Sequence, residues 1–428
     1  MVDWFNQAWR QFQEDHLITP ESFDLDPNVF QERISRDQTT FDTSRISYPL
    51  QGKTINDVID MLERGSKPSE FPYYYDRAGS AAKDALAHRL VMAEAGYLEE
   101  YDINPLEHVG ATTFPCGMSA IANVAEALVM PYSKEARTGL RFLRGKDVYF
   151  HTGPLLKEVI PQKMGIEPAL EIDTTNPDEV RAALEDNKDK IIAIFYEPIT
   201  NPLLEYTDTR KIHEVAREYG VPIITDNTFL TPFLSQPLRE GADIVIHSMT
   251  KYMSGEGDTM GGAVIGPAEF IKSLTQKIEG DILPNSQLAK LFYNRIPSLP
   301  DNMKRHVDNA IIIYDFLSQH PNVESATYTP DTLLNTRYGA PGAVLNFTLK
   351  GNSDEERLAN VAAFEHYIQD NPGAIVNKVS LGERQHLLIG EKDQGSGFVR
   401  FAVGREPEAG EVIKYLNKAL DHVYQKSA

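Results

Sequence analysis

The residues best suited to chemistry lie between Gly241 and Gly262, in the run GADIVIHSMTKYMSGEGDTMGG. Ala242–His247 is a short apolar run bounded by Gly241 and by polar residues, a pattern that predicts a buried strand. Ser248, Thr250 and Lys251 follow at its end, and then come four glycines at 255, 257, 261 and 262. A lysine in a loop is by default a solvated charge. One amine flanked by two hydroxyls at a strand end, ahead of pliant backbone, suits attachment of a cofactor better. Ser248-Met249-Thr250-Lys251 also fits S-x-x-K, the nucleophile motif of serine acyl hydrolases. That alternative is the weaker one, because its K-T-G companion is absent and this lysine is framed as a strand end, not a helix start.

The elements around this run repeat one wiring. Between Asp147 and Thr225 strand and helix alternate. Ile191–Phe195 reads as a strand, Thr209–Tyr219 as a helix with Ile212, Val215, Ala216 and Tyr219 on one face, and Gly220 as its stop. Val221–Thr225 and Asp243–His247 are the next strands. Such βαβ units build a mostly parallel sheet covered on both faces, with ligands at the carboxyl ends of its strands. Three polar sets fall at those ends: Glu197–Asn201, Asp226-Asn227, and Ser248–Lys251. Upstream, a turn at Pro115–Gly117 enters a helix of small and apolar residues. With a glycine at the N-cap, its free N–H groups can hold a phosphate. Before it, Leu86, Leu90 and Ala93 predict a helix stopped by Gly96.

After about Pro297 the pattern becomes α+β, with strands at Ala343–Leu349 and Gly397–Val403 and a helix at Glu355–Gln369. A last helix carries Val412, Leu416, Leu420 and Val423 on one side. Arg400 interrupts an apolar strand, so it must pair with a protein carboxylate or meet a substrate carboxylate. Three segments follow: an N-terminal arm over 1–70, a large domain over 71–296 and a small domain over 297–428. The arm is acidic. Trp4, Phe5, Trp9 and Phe12 mark a short helix that docks on the body or on a neighbouring subunit, and Pro20–Pro49 reads as extended.

Composition narrows the function. With 428 residues, 41% hydrophobic and 24% charged, the chain is an ordinary globular one with ample core. A net charge of −20 argues against nucleic-acid and anionic-membrane partners. A single cysteine, Cys116, excludes an intrachain disulfide and fits a reducing cytoplasm. Nothing reads as a signal peptide or a membrane span. No phosphate-binding P-loop is present, His213-Glu214 lacks the second histidine of a zinc-protease helix, and no metal site is expected.

The run from Ser248 to Gly262, preceded by TDNTF and EPITNP, resembles the Cys/Met-metabolism class of pyridoxal-phosphate enzymes. That class contains cystathionine synthases and lyases, methionine γ-lyase and O-acetylhomoserine sulfhydrylases. The resemblance runs in order from about Tyr73 to Val403. It implies the α/β fold of aspartate aminotransferases (fold type I): a mostly parallel central sheet flanked by helices, plus a smaller α+β C-terminal domain. It also implies homodimers, usually paired as tetramers, with sites shared between subunits. By the same resemblance Lys251 would hold pyridoxal 5'-phosphate as a Schiff base. Asp226 would face the pyridine nitrogen and Asn201 the phenolic oxygen. Gly117, Met118, Ser248 and Thr250 would bind the phosphate, and Tyr75 and Arg77 would reach the phosphate of the neighbouring subunit. Arg400 and Ser380 would grip the substrate carboxylate.

The departures are informative. Arg77-Ala-Gly-Ser80-Ala-Ala replaces the usual Arg-x-x-Asn-Pro-Thr, and Glu256 stands where a histidine is common. The segment that holds the tyrosine stacked on the cofactor reads DVYFHTGPLLKE, leaving Tyr149 and His151 as candidates. The implied reaction is γ-elimination from a homoserine- or homocysteine-type amino acid, giving a 2-oxo acid and ammonia. The alternative is γ-replacement, as in cystathionine γ-synthase or an O-acylhomoserine sulfhydrylase.

Overall fold

The computed structural model describes residues 5, 7–16, 26–36, 76, 79–277, 285–328, 336–391 and 397–425. Seven strands form the larger sheet: β1 (Val109–Phe114), β2 (Arg141–Gly145), β3 (Leu170–Ile172), β4 (Ile191–Tyr196), β5 (Ile223–Asp226), β6 (Ile244–Ser248) and β7 (Gly262–Pro267). Their spatial order is β1-β7-β6-β5-β4-β2-β3. β7 pairs antiparallel with β1 and β6, and the other pairs are parallel. β4 and β6 are buried along nearly their whole length. That follows from their unbroken apolar runs, which only a sheet covered on both faces can hide.

The crossover helix Thr209–Tyr219 forms where its periodicity places it. Asp208 caps it by accepting the Arg210 and Lys211 N–H groups, and Gly220 ends it at φ +66°. The helix Ala81–Ala95 is capped by Ser80 and buries Leu86, Leu90 and Ala93. Gly96 ends this helix, as expected. It stays right-handed and begins the 3-10 segment Gly96–Tyr101. A Cβ at Gly96 would lie 3.1 Å from Arg33 Cδ, so this glycine makes room for a neighbouring helix.

That neighbour corrects the reading of Pro20–Pro49 as extended. A helix spans Pro27–Ser35, started by Asp26 as cap and Pro27 in the first turn, with Phe30 and Ile34 buried one turn apart. The N-terminal helix Gln7–His16 lies on this chain's own body. Trp9 Nε1 donates to Asp243 Oδ1 (2.9 Å) and Gln13 Nε2 to the Ala242 carbonyl (3.1 Å). Trp4 falls outside the described residues.

The smaller sheet holds β8 (Val323–Thr327), β9 (Val344–Leu349), β10 (Ile375–Asn377), β11 (His386–Glu391) and β12 (Phe398–Ala402), in the order β10-β11-β12-β9-β8. Only its β10–β11 pair is parallel. Helices Leu299–Gln319, Asp354–Asp370 and Ala409–Gln425 pack around it. Among the described residues, no helix is long and apolar enough to cross a membrane.

Candidate active site

β1, β2, β4, β5 and β6 deliver their carboxyl ends to one edge of the larger sheet, where loops meet the smaller one. β6 ends at Ser248 and the chain turns at once. Lys251 N–H donates to the Ser248 carbonyl (3.1 Å), and the Lys251 carbonyl accepts from Ser254 N (3.1 Å) and Gly255 N (2.9 Å). The half-buried Lys251 amine donates to Ser380 Oγ at 3.1 Å, reaching a residue just beyond β10. Burial lowers this amine's pKa, and the Arg400 charge lowers it further, while Glu383 opposes both.

Asp226 ends β5. Its Oδ1 accepts Thr228 N (3.1 Å) and Thr228 Oγ1 (2.5 Å), and Thr228 Oγ1 itself accepts Ser248 N (2.7 Å). One threonine thus ties the carboxylate to the lysine loop. Burial raises the Asp226 pKa against those two hydrogen bonds. Beyond β4, the buried Glu197 accepts the Tyr149 N–H at 2.6 Å. Its pKa is raised well above the ordinary carboxylate range, by burial first and the Asp226 charge second. Burial pushes both carboxyls up; Glu197 is pushed the further, against the Tyr149 N–H and the Arg400 charge, while the two Thr228 hydrogen bonds favour the charge on Asp226. Neither Thr228 nor Glu197 received a role from the sequence. The signals were present: a hydroxyl two residues after a strand-end aspartate, and a carboxyl opening EPITN.

The helix Gly117–Val129 starts against Ser248. Cys116 is the N-cap, a position expected for glycine, and Gly117 is the first helical residue. A Cβ on Gly117 would sit 3.0 Å from Ser248 Cβ, and one on Gly262 would collide with the Cys116 carbonyl. The Gly117 helix start therefore sits directly on Ser248, and β7 comes in against Cys116 with no side chain of its own, at a helix end whose first N–H groups have no intrahelical acceptor. The Thr250 hydroxyl accepts Gly261 N (3.1 Å) and reaches the Gly261 carbonyl (3.3 Å), bracing the loop across its far side.

Other candidates separate by position. Tyr149 is half-buried, and burial raises its phenol pKa, with Cys116 and Glu197 adding to the shift. His151 is exposed, its ring centroid 4.0 Å from that of Phe150. Asn201 is half-buried in the loop after β4, and Met118 is half-buried in the first turn of its helix. Arg400 is buried on β12 opposite Asn346, with Nη1 3.4 Å from the Ser380 carbonyl. Tyr75 and Arg77 lie outside the described residues. Asp76 between them is buried, and its carboxylate accepts Ser286 N at 2.9 Å.

An amine of lowered basicity, a half-buried carboxylate that welcomes a cation and a helix start beside a serine fit pyridoxal phosphate. Lys251 matches the aldehyde, Asp226 a protonated ring nitrogen, and the Gly117 region the phosphate. The S-x-x-K alternative fails here. Ser248 abuts the Gly117 helix start, while the amine it would need is engaged with Ser380.

Comparison with known proteins agrees. The family described as Cys/Met metabolism PLP-dependent enzyme matches residues 34–421. L-methionine gamma-lyase of Porphyromonas gingivalis is 28% identical over 86% of this chain and 91% of its own. Cystathionine gamma-lyase of Bacillus subtilis is 30% identical over 82% of this chain and 89% of its own. In fold, the chain superposes on cystathionine gamma synthase from Xanthomonas oryzae pv. oryzae with a TM-score of 0.75, covering 94% and 99% of the two chains at 24% identity.

Proposed function

The chain belongs to the Cys/Met-metabolism family of pyridoxal-phosphate-dependent enzymes, and we propose that it eliminates a γ-substituent from a homoserine- or homocysteine-type L-amino acid. Water completes the reaction, releasing a 2-oxo acid and ammonia. Bound pyridoxal phosphate supplies an electron sink for the charge left when protons leave the substrate carbons. Lys251 would hold the cofactor, with Asp226 serving its ring nitrogen and Asn201 its phenolic oxygen. The Gly117 and Met118 N–H groups and the Ser248 and Thr250 hydroxyls would hold the phosphate.

The chain's own residues divide the work. Arg400 and Ser380 grip the substrate carboxylate, a task suited to a guanidinium fork. That grip sets the α-hydrogen near the Lys251 amine. The free Lys251 amine would serve as the base for that hydrogen, helped by the burial and the Arg400 charge that lower its pKa. The Tyr149 phenol has a raised pKa, keeps its proton and can hand it to the departing group. Tyr75 and Arg77 complete the phosphate site of a second subunit, so the working form is a homo-oligomer, a dimer or a dimer of dimers. A single free cysteine suits a reducing cytoplasm.

The observation that carries this reading is the Lys251 amine, half-buried and 3.1 Å from Ser380. Elimination is preferred because the two relatives named above are both γ-lyases. The test supplies holoenzyme with γ- and β-substituted amino acids and scores 2-oxo acid release with and without an added thiol. A four-carbon 2-oxo acid from γ-substituted substrates supports elimination. A thiol-dependent product without 2-oxo acid moves the assignment to γ-replacement, and release from β-substituted substrates alone moves it to β-elimination.

A further inference from the structure

Glu256, the residue standing where the family commonly has a histidine, is not an idle surface charge. It lies five residues after Lys251, and its carboxylate pairs with Arg405 Nη2 at 2.6 Å and with Arg384 Nη2 at 3.2 Å. Arg405 is 5% exposed and also donates through Nη1 to the Gly255 carbonyl at 2.5 Å. The N–H of that same Gly255 bonds the Lys251 carbonyl at 2.9 Å. Arg405 therefore acts on the lysine turn through one shared residue, Gly255. On the other side, the Arg384 carbonyl accepts Arg405 N (3.0 Å) and Glu406 N (2.9 Å). Arg384 in turn lies four residues after Ser380, the hydroxyl facing the Lys251 amine. Gly382 packs so tightly on this turn that a Cβ there would sit 2.5 Å from Tyr252 N.

We propose that Glu256, Arg405 and Arg384 form a clasp that fixes the segment Ser380–Arg384 of the smaller domain against the lysine turn, making Glu256 a positioning residue for the Lys251–Ser380 contact. A glutamate does here what a neutral or singly charged histidine cannot. It accepts from two guanidinium groups at once, and charge-assisted pairs with a buried arginine hold tighter than exposed ones. Loosening the clasp lets Ser380 drift from Lys251 and admits water to the amine. Arg400, Glu383 and Lys378 are the charges facing that amine, and of these Glu383 lies in the released segment. Burial is the largest influence on the amine, so its loss returns the Lys251 pKa toward its ordinary value.

The clasp rests on the proposed function for its kinetic readout only. Glu256→Gln is the mild variant, Arg384→Gln tests the exposed arm, and Arg405→Met completes a cycle with Glu256→Gln. On the amino acid the wild-type holoenzyme turns over best, kcat/KM is expected to fall about tenfold or more in each variant. The acid limb of its pH profile moves to higher pH, and amides in 251–255 exchange faster with solvent in both apoenzyme and holoenzyme. Arg405→Met with Glu256→Gln together is no worse than the worse single change, as for one cooperative unit. Unchanged exchange and kinetics, additive losses, or a lowered melting temperature with wild-type kinetics would each overturn the clasp. If the wild type turns over no amino acid, the proposed function fails, and the exchange measurement alone then decides the clasp.

Discussion

The Lys251 amine meets the Ser380 hydroxyl at 3.1 Å across 129 residues of chain. β6 of the larger sheet presents the lysine, and the segment leaving β10 of the smaller sheet presents the serine. The geometry around the amine is thus a property of how the two sheets meet. A substitution that slides one sheet on the other should be felt at the amine before it is felt in overall stability.

Arg400 is the first test of that junction. Arg400→Lys keeps a positive charge beside Lys251 but loses the planar fork that reaches the Ser380 carbonyl and is proposed to grip the substrate carboxylate. The expected result is a KM for the amino acid raised by about a hundredfold with the cofactor still bound, measured by steady-state kinetics. An unchanged KM would place the substrate carboxylate elsewhere.

Thr228 links Asp226 to Ser248 through one hydroxyl. Thr228→Val keeps the shape, removes a donor to the carboxylate and leaves the Ser248 N–H without its acceptor. The cost is about 1–3 kcal/mol, expressed as weaker cofactor binding. Titration of apoenzyme with pyridoxal phosphate should show about a tenfold loss or more in Thr228→Val and near-normal affinity in Thr228→Ser. Equal affinities in all three would remove Thr228 from the site.

Glu197 is assigned as the protonated carboxyl of its pair with Asp226, on the strength of its burial. Glutamine copies a neutral carboxyl closely and still accepts the Tyr149 N–H. Glu197→Gln should therefore keep kcat within about threefold, whereas Glu197→Ala, which frees the Tyr149 backbone, should lower it about tenfold or more. Parallel kcat–pH profiles for wild type and Glu197→Gln complete the check. A large loss in Glu197→Gln would mean that the charge on Glu197 matters.

Trp9 anchors the N-terminal helix to Asp243, whose carboxyl burial raises to about 6. Between the ordinary carboxyl pKa and about 6, the folded chain holds a proton that the unfolded chain has lost. Asp243 therefore withdraws stability as pH rises through that window. The Trp9 N–H favours the charged form, so its removal pushes the pKa up further and hurts most above about pH 6. Trp9→Phe should cost about 1–3 kcal/mol at pH 7 and less near pH 4.5, as read from denaturant unfolding at the two pH values. A loss independent of pH would mean that packing alone holds the helix.

Much of this arrangement was legible in the residues. Thr209–Tyr219 and β4 declared themselves through periodicity 3.6 and unbroken apolar runs, because burial of one or both faces dictates those patterns. Lys251, Asp226 and the helix at Gly117 stood out because strand ends in parallel sheets collect ligands. What failed depended on contacts distant in sequence. The helix Pro27–Ser35 lives on two buried apolar side chains and a buried arginine in a polar stretch, and its packing on Gly96 is not visible in either segment alone. Glu256 read as a bare departure because its partners, Arg384 and Arg405, lie more than a hundred residues away. Tyr149 and His151 could be separated only by burial, which their adjacency in sequence conceals.

The central claim is that Lys251 carries pyridoxal phosphate at the junction of the two sheets. The most direct test is the visible absorption spectrum of the purified protein, before and after Lys251→Ala, with cofactor supplied to both. The account predicts a yellow band in the wild type that borohydride reduces into a stable adduct on Lys251, and no such adduct in the variant. A colourless wild type that stays colourless with added cofactor, or an adduct that persists after Lys251→Ala, would contradict it.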